Sequence, residues 1–343
     1  MRAVIVDEDG AALRLAVVPR PSPGPGQVLV RIAASGTNPL DVKIRMGAAP
    51  HARHPLPAVL GIDLAGTVET VGEGITSLRV GDEVYGMAGG VGGYQGTLAE
   101  YAAVDAALLA RKPVNLTFRQ AAALPLVFIT AWEGLVDRAG VRAGQTVLVQ
   151  GGAGGVGQMV IQLALARGAA AFAVGAPEGR LAVERLGATF VERSEPVGDY
   201  VTRLSGGKGF DLVYDTAGGA ALDASFLAVR RFGHVVSCLG WGTHALAPLS
   251  FRAASYSGVF TLLPLLTGDG RAHHGEILAE AARMADSGKL VPPLSAQRFT
   301  LESVGEAHRL IAGGTARGKL VVDVAGDSKE AVLPDDDGAA ALR

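Results

Sequence analysis

Residues 146–168 read TVLVQGGAGGVGQMVIQLALARG. Five residues, mostly β-branched or apolar, lead into seven dominated by glycine. An apolar stretch of helical length follows. The spacing predicts a strand over 146–150, a tight turn, and a helix from Gly157 to Gly168. Gly152, Gly154 and Gly157 satisfy G-x-G-x-x-G. A turn of this kind needs glycine for its sharp reversal and for close approach of backbone to a pyrophosphate. The third glycine lets the helix pack tightly on the strand. Gly152, Gly154, Gly155, Val156 and Gly157 are therefore candidate dinucleotide contacts. The alternative, a glycine turn between two buried elements with no ligand, is weakened by the pattern of the downstream chain.

Beyond Gly168, strands and helices alternate. AAFAV (170–174), FDLVYD (210–215) and HVVSCLG (234–240) read as strands. GRLAVERLGA (179–188), ALDASFLAVRR (221–231) and HGEILAEAARMADSGKL (274–290) read as helices. The alternation predicts an α/β domain with a doubly wound parallel sheet. Upstream, residues 120–140 are expected to form one helix. Before them, AVIV (3–6), VLVRIAAS (28–35), DLAGTVETVG (63–72), GDEVYGM (81–87) and AEYAAV (99–104) read as strands separated by turns. From Leu294 the pattern is mixed again, with a helix at SVGEAHRLIAGG and a strand at KLVVDV (319–324). The expected organisation is a discontinuous β-rich domain over residues 1–123 and 295–326, an inserted Rossmann domain over 124–294, and a tail over 327–343.

Composition bounds the rest. The 343 residues are 49% hydrophobic and 19% charged, with a formal net charge of -2. This balance is globular and carries no basic footprint for nucleic acid. The single cysteine, Cys238, cannot form an internal disulfide or a cysteine-rich zinc site. It falls inside a strand and is expected to be inert. The charge-free run from Ala143 to Ala166 is explained by a buried strand and helix, not a membrane span. The expectation is a cytoplasmic protein that binds neither nucleic acid nor membrane.

The second strand of the α/β domain bears on which dinucleotide binds. NAD sites place an acid at the end of that strand to hold the ribose 2′-hydroxyl. Here Gly175 and Ala176 stand in that region, Glu178 lies beyond Pro177, and Arg180 follows. An absent acid beside a cation suits a 2′-phosphate, so NADPH is the expected cofactor. Arg193 is a second, weaker candidate cation.

Seven segments together carry a family resemblance: SGTNPLDVKIRMG (35–47), LGIDLAGTVETVG (60–72), GDEVYG (81–86), LPLVFITAW (124–132), the GGAGGVG turn with Gln162, FDLVYDTAGG (210–219) and GKLVV (318–322). In order and spacing the chain resembles the quinone oxidoreductase (zeta-crystallin-like) branch of the medium-chain dehydrogenase/reductases. The resemblance implies a GroES-like β-rich domain plus a Rossmann domain, an active site in the cleft between them, and a homodimer. Zinc members of that superfamily carry Cys where this chain has Asn38 and His where it has Ile62, so the resemblance implies no zinc site. The pairs His51/His54 and His273/His274 are expected to be surface-loop histidines.

Without a Lewis acid, reduction of an already electrophilic acceptor, a quinone or a conjugated enone, is the reaction within reach. The resemblance places Asn38 beside the nicotinamide. Asn38, Asp41 and Lys43 are the candidate catalytic residues, although Asn38-Pro39 with Asp41 also reads as a well-capped helix start, with Asp41 and Arg45 able to pair. Some relatives have Tyr in place of Lys43. That lysine either steadies an enolate or quinol anion or points to solvent. Thr130 and Lys319 complete the cofactor set by resemblance, and Gly240 by the room it gives the backbone. Tyr85, Tyr94, Trp132 and Trp241 are candidate pocket walls. An enone or alkenal reductase with little quinone activity, and a non-catalytic NADPH-binding sensor, share all these residues.

Overall fold

The computed structural model describes residues 1–324. The expected tail over 327–343 lies outside the described residues. The α/β half contains six parallel strands: β1 (Thr146–Gln150), β2 (Ala170–Gly175), β3 (Thr189–Glu192), β4 (Phe210–Asp215), β5 (Val229–Ser237) and β6 (Ser255–Gly258). Their order across the sheet is β3-β2-β1-β4-β5-β6. This is the doubly wound order, with its switch point between β1 and β4. The glycine turn leaves β1 at that point.

The strands are apolar on both faces because both faces are covered. Leu148, Val213 and Val235 pack with Phe210, Leu222 and Phe226 in one core. Their neighbours Val147, Val149, Leu212 and Tyr214 face the opposite way, into a second core. That second core runs without interruption into the β-rich half, through Phe128 and Leu124 to Ile62 and Val30.

The β-rich half is built on a seven-stranded sheet around the strand Gln27–Gly36. It pairs with Asp63–Val71, with Tyr101–Asp105 and with Val321–Asp323. In that register Gly36 stands opposite Asp63 on one side and Val321 on the other. The chain's two ends of this half are thereby sewn together.

The largest departures from the sequence expectation are at three places. The single helix expected over 120–140 is three pieces: Phe118–Ala122, Pro125–Trp132 and a π-helical turn Glu133–Arg138. Pro125 has no N–H to continue the first piece, so a new helix starts there. The widening into a π turn comes where Gly134 presses on the Tyr214 ring, and the Tyr214 hydroxyl donates to the Thr130 carbonyl at 2.6 Å. Residues 229–231, expected to end a helix, begin β5 instead. The edge strand β6 (SYSG) has no apolar run to announce it. Among the described residues no helix is long and apolar enough to cross a membrane.

The helix Val304–Ala312 packs on the helix Pro39–Arg45, which follows Asn38. At that contact His308 is 1% exposed, and neither ring nitrogen has a hydrogen-bond partner. Burial pushes its imidazolium down to about 4, with Arg45 adding repulsion. The unfolded chain protonates first, near pH 6.5. Stability from a neutral His308 is thus complete above that pH and is lost as pH falls toward 4. His308→Leu is expected to make the loss of unfolding free energy on acidification smaller by about 2 kcal/mol, measured by urea denaturation across that range. An unchanged pH slope would reject this.

Candidate active site

A cavity of about 460 Å³ opens between the two halves. Its polar end is formed by the segment after Gly36. Asn38 is 1% exposed, Asp63 is fully buried and Lys319 is 6% exposed. The Lys319 ammonium contacts Asn38 Oδ1 and lies 3.1 Å from Asp63 Oδ2. Asn38 Nδ2 donates to the same Asp63 oxygen at 3.0 Å, and Leu126 N–H donates to Asp63 Oδ1 at 2.9 Å. Burial pushes the Asp63 carboxyl up, while Lys319, Asn38 and Leu126 pull it down. Asn38 and Lys319 line the cavity, and Asp63 holds both from behind. Asp63 escaped the sequence reading. The signal was present in Ile62-Asp63-Leu64, since an acid inside a buried strand requires a buried partner.

Asp41 does not line the cavity. Its Oδ2 accepts the Asn38 N–H at 2.7 Å, and its Oδ1 is buried without a partner. Burial raises its carboxyl to about 7, against the opposing Asn38 bond. Asp41 thus meets the cavity-lining residues only through Asn38. Arg45 reaches Met46 Sδ and forms no pair with Asp41. Lys43 is exposed and sits on the cavity rim.

On the opposite wall the glycine turn is packed so tightly that side chains are excluded. A Cβ on Gly152 would overlap Ala173, and one on Gly157 would overlap the Gly151 carbonyl. Gly151 takes φ 74°, in the left-handed region. Gly154 caps the helix Gly155–Ala166, and Gly154, Gly155 and Val156 line the cavity. The unpaired N–H groups of that helix start give the wall the donors and partial charge a diphosphate needs. The turn therefore fits a dinucleotide.

Thr130 also lines the cavity, donating to the Leu126 carbonyl at 2.7 Å. Behind it runs a buried chain. The Thr261 hydroxyl lies 3.1 Å from Thr130 Oγ1 and 3.0 Å from Glu133 Oε2, and Glu133 Oε1 lies 2.9 Å from His274 Nε2. His274 is 1% exposed on the helix Arg271–Asp286. It is not a surface histidine, because Glu133 on the π turn gives it a buried partner. His51 is likewise not a bystander: it lines the cavity and stacks on Trp241. His54 is half-buried against the Val59 carbonyl, and His273 is exposed beside Asp137.

Other candidates lie elsewhere. Gly240 is outside the cavity lining, and a Cβ there would meet the Tyr256 hydroxyl unless that ring shifted. Arg180 is exposed at the start of the helix Arg180–Arg185 that follows β2, stacked over Phe190 at 4.5 Å and 3.4 Å from Glu184. Of the four proposed aromatic walls only Trp241 lines the cavity. Tyr85 is buried and bonds to the Leu278 carbonyl, Tyr94 holds Arg271, and Trp132 bonds to Asp137. Cys238 follows β5 instead of lying within it, and it reaches the cavity, yet burial pushes its thiol up to about 12.

Residues 24–114 match the alcohol dehydrogenase GroES-like domain, and residues 186–322 match the zinc-binding dehydrogenase family. The chain is 36% identical to an NADPH-dependent alkenal/one oxidoreductase of Arabidopsis thaliana, over 86% of this chain and 72% of that one. It superposes on an alcohol dehydrogenase superfamily protein from Novosphingobium aromaticivorans with a TM-score of 0.94, at 58% identity, covering 95% of this chain and 100% of that one. It superposes on the quinone oxidoreductase of Coxiella burnetii with a TM-score of 0.80, at 28% identity, covering 95% and 99%. It also matches segments of a spectinabilin polyketide synthase system protein of Streptomyces orinoci and of a mycocerosic acid synthase-like polyketide synthase of Mycobacterium tuberculosis, spanning 13% and 15% of their lengths.

The residues present do not fit the zinc of the matched family's name. Ile62 is apolar and fully buried, Asn38 is committed to Lys319 and Asp63, and the ammonium would repel a dication. Among the described residues no three His, Cys, Asp or Glu side chains converge as a metal site.

The ammonium and the carboxylate depend on each other. Lys319→Met strands Asp63 in the core and is expected to cost about 3–5 kcal/mol in chemical denaturation. Asp63→Asn in the same chain is expected to recover about half of that, because it removes the stranded charge. Additive single losses would show that the pair is not coupled.

Proposed function

The chain belongs to the medium-chain dehydrogenase/reductases, in their quinone and enone oxidoreductase branch, and from that premise we propose that it reduces α,β-unsaturated carbonyl compounds and quinones with NADPH and without zinc. The observation that carries this reading is the buried Lys319 ammonium, held by Asn38 and Asp63 at the polar end of a mainly apolar cavity. NADPH, when bound, supplies the hydride.

The protein's own part is binding, orientation and charge. Gly154, Gly155 and Val156 hold the diphosphate at the helix start. Thr130, steadied by Thr261 and Glu133, offers its oxygen on the same wall. A lysine ammonium carries three donors, and two of those on Lys319 are spent on Asn38 and Asp63. The third is left for the oxygen on which negative charge develops. Asp41 keeps Asn38 in place through its backbone N–H. Lys43, at the rim, adds positive charge where an anionic product forms. The apolar remainder of the wall excludes water, which strengthens that interaction. The final proton comes from solvent.

The choice of NADPH rests on the missing acid after β2 and on the exposed Arg180 guanidinium there. The name of the Arabidopsis relative agrees with it. A homodimer belongs to the same proposal.

EDTA-treated protein is expected to oxidise NADPH with a simple enone or quinone, followed by the absorbance of the reduced cofactor. NADPH is expected to bind about tenfold more tightly than NADH, and Arg180→Ala to erase most of that preference, as loss of one charge-assisted contact would. Activity that disappears with EDTA and returns with zinc would overturn the zinc-free reading. Tight NADPH binding without turnover of any acceptor would point to a sensor instead.

A further inference from the structure

Three aromatic rings in the cavity wall serve neither the glycine turn nor the charged end. His51 sits on a single 3₁₀ turn, Pro50–Ala52, in the β-rich half. Trp241 follows β5 and Phe260 follows β6, both in the Rossmann half. His51 and Trp241 stack with centroids 5.2 Å apart and an interplanar angle of 29°. Phe260 stands edge-on to both, at 6.1 Å from each. The three rings therefore bridge the cleft and give the cavity one wall of π faces and edges.

That wall is not a closed piece of core. Trp241 remains 54% exposed despite its two ring contacts. An indole left half in water beside an apolar cavity has surface to give to a ligand. The same cavity is lined by Lys319, which suits a carbonyl oxygen. An acceptor that meets both carries a carbonyl for the ammonium and a ring for the aromatic wall.

We propose that His51, Trp241 and Phe260 form the acceptor subsite, and that it selects planar, ring-bearing electrophiles, such as aryl-substituted enones, over short aliphatic enones. The proposal rests on the reductase reading for its chemistry and on the ring geometry for its selectivity. Offset and edge-to-face ring pairs gain attraction beyond the area they bury, which a short alkyl chain does not match.

The test compares 4-phenyl-3-buten-2-one with 3-penten-2-one, which share one enone and differ by phenyl against methyl on the β-carbon. The ratio of their kcat/KM values is expected to fall about tenfold in Trp241→Ala, mainly through KM of the aryl acceptor. Trp241→Phe is expected to keep most of the ratio, and His51→Ala to lower it in the same direction. An unchanged ratio in Trp241→Ala would overturn the subsite while leaving the reductase standing.

Binding of the saturated ketone 4-phenyl-2-butanone in the presence of NADP⁺, followed by calorimetry, separates the two readings. Trp241-dependent binding without turnover of any enone would support the subsite and sink the reductase. Absence of both binding and turnover would sink both. Thermal unfolding of each variant distinguishes loss of the subsite from loss of the fold.

Discussion

A buried ammonium tolerates few neighbours, and the site is arranged around one. Lys319 is held between the Asn38 amide and the Asp63 carboxylate, and each of the three satisfies another. Removing any one leaves a charge or a dipole in the core without compensation. The strand register makes the arrangement possible. Gly36 lies between Asp63 and Val321 in the sheet, and Thr37 N–H donates to the Leu320 carbonyl at 2.9 Å. A slip of one residue would turn Asp63 to the other face and separate the three.

The same physics extends to the cofactor wall. The apolar core is continuous between the halves, so the cleft is set by packing and not by a linker. Pro125 and Gly134 break what would have been one helix. The break points the Leu126 N–H at Asp63 and sets Glu133 where it meets both Thr261 and His274. Local helix geometry thus connects the acid behind the charged end with the hydroxyls on the opposite wall.

Much of the fold was legible. The glycine turn between an apolar strand and an apolar helix, followed by repeated strand–helix units, carries a doubly wound sheet with few alternatives. Elements whose signal is tertiary were not legible. SYSG becomes a strand because β5 offers it a partner, and Val229 joins β5 because Phe210 stands beside it. Of the residues at the cavity, Asn38 and Lys319 were among those expected and both line it, whereas Asp63 behind them and His51 were not expected there. A sequence shows an acid in a buried strand without showing the partner that gives it a role. A histidine in a proline-flanked loop resembles a surface residue until Trp241 is brought to it.

By itself the sequence determined most of the strand–helix alternation, the glycine turn and the family, because these depend on periodicity, on glycine where a Cβ would collide, and on motifs in order. Tertiary structure alone decided which side chains share the cavity. Lys319 and Asn38 are 281 residues apart and meet only through strand pairing. Gly240 lies against the Tyr256 hydroxyl, outside the cavity lining, and Asp41 supports Asn38 from behind instead of facing the cavity. Contacts between distant segments depend on how the elements pack, and no spacing along the chain encodes them.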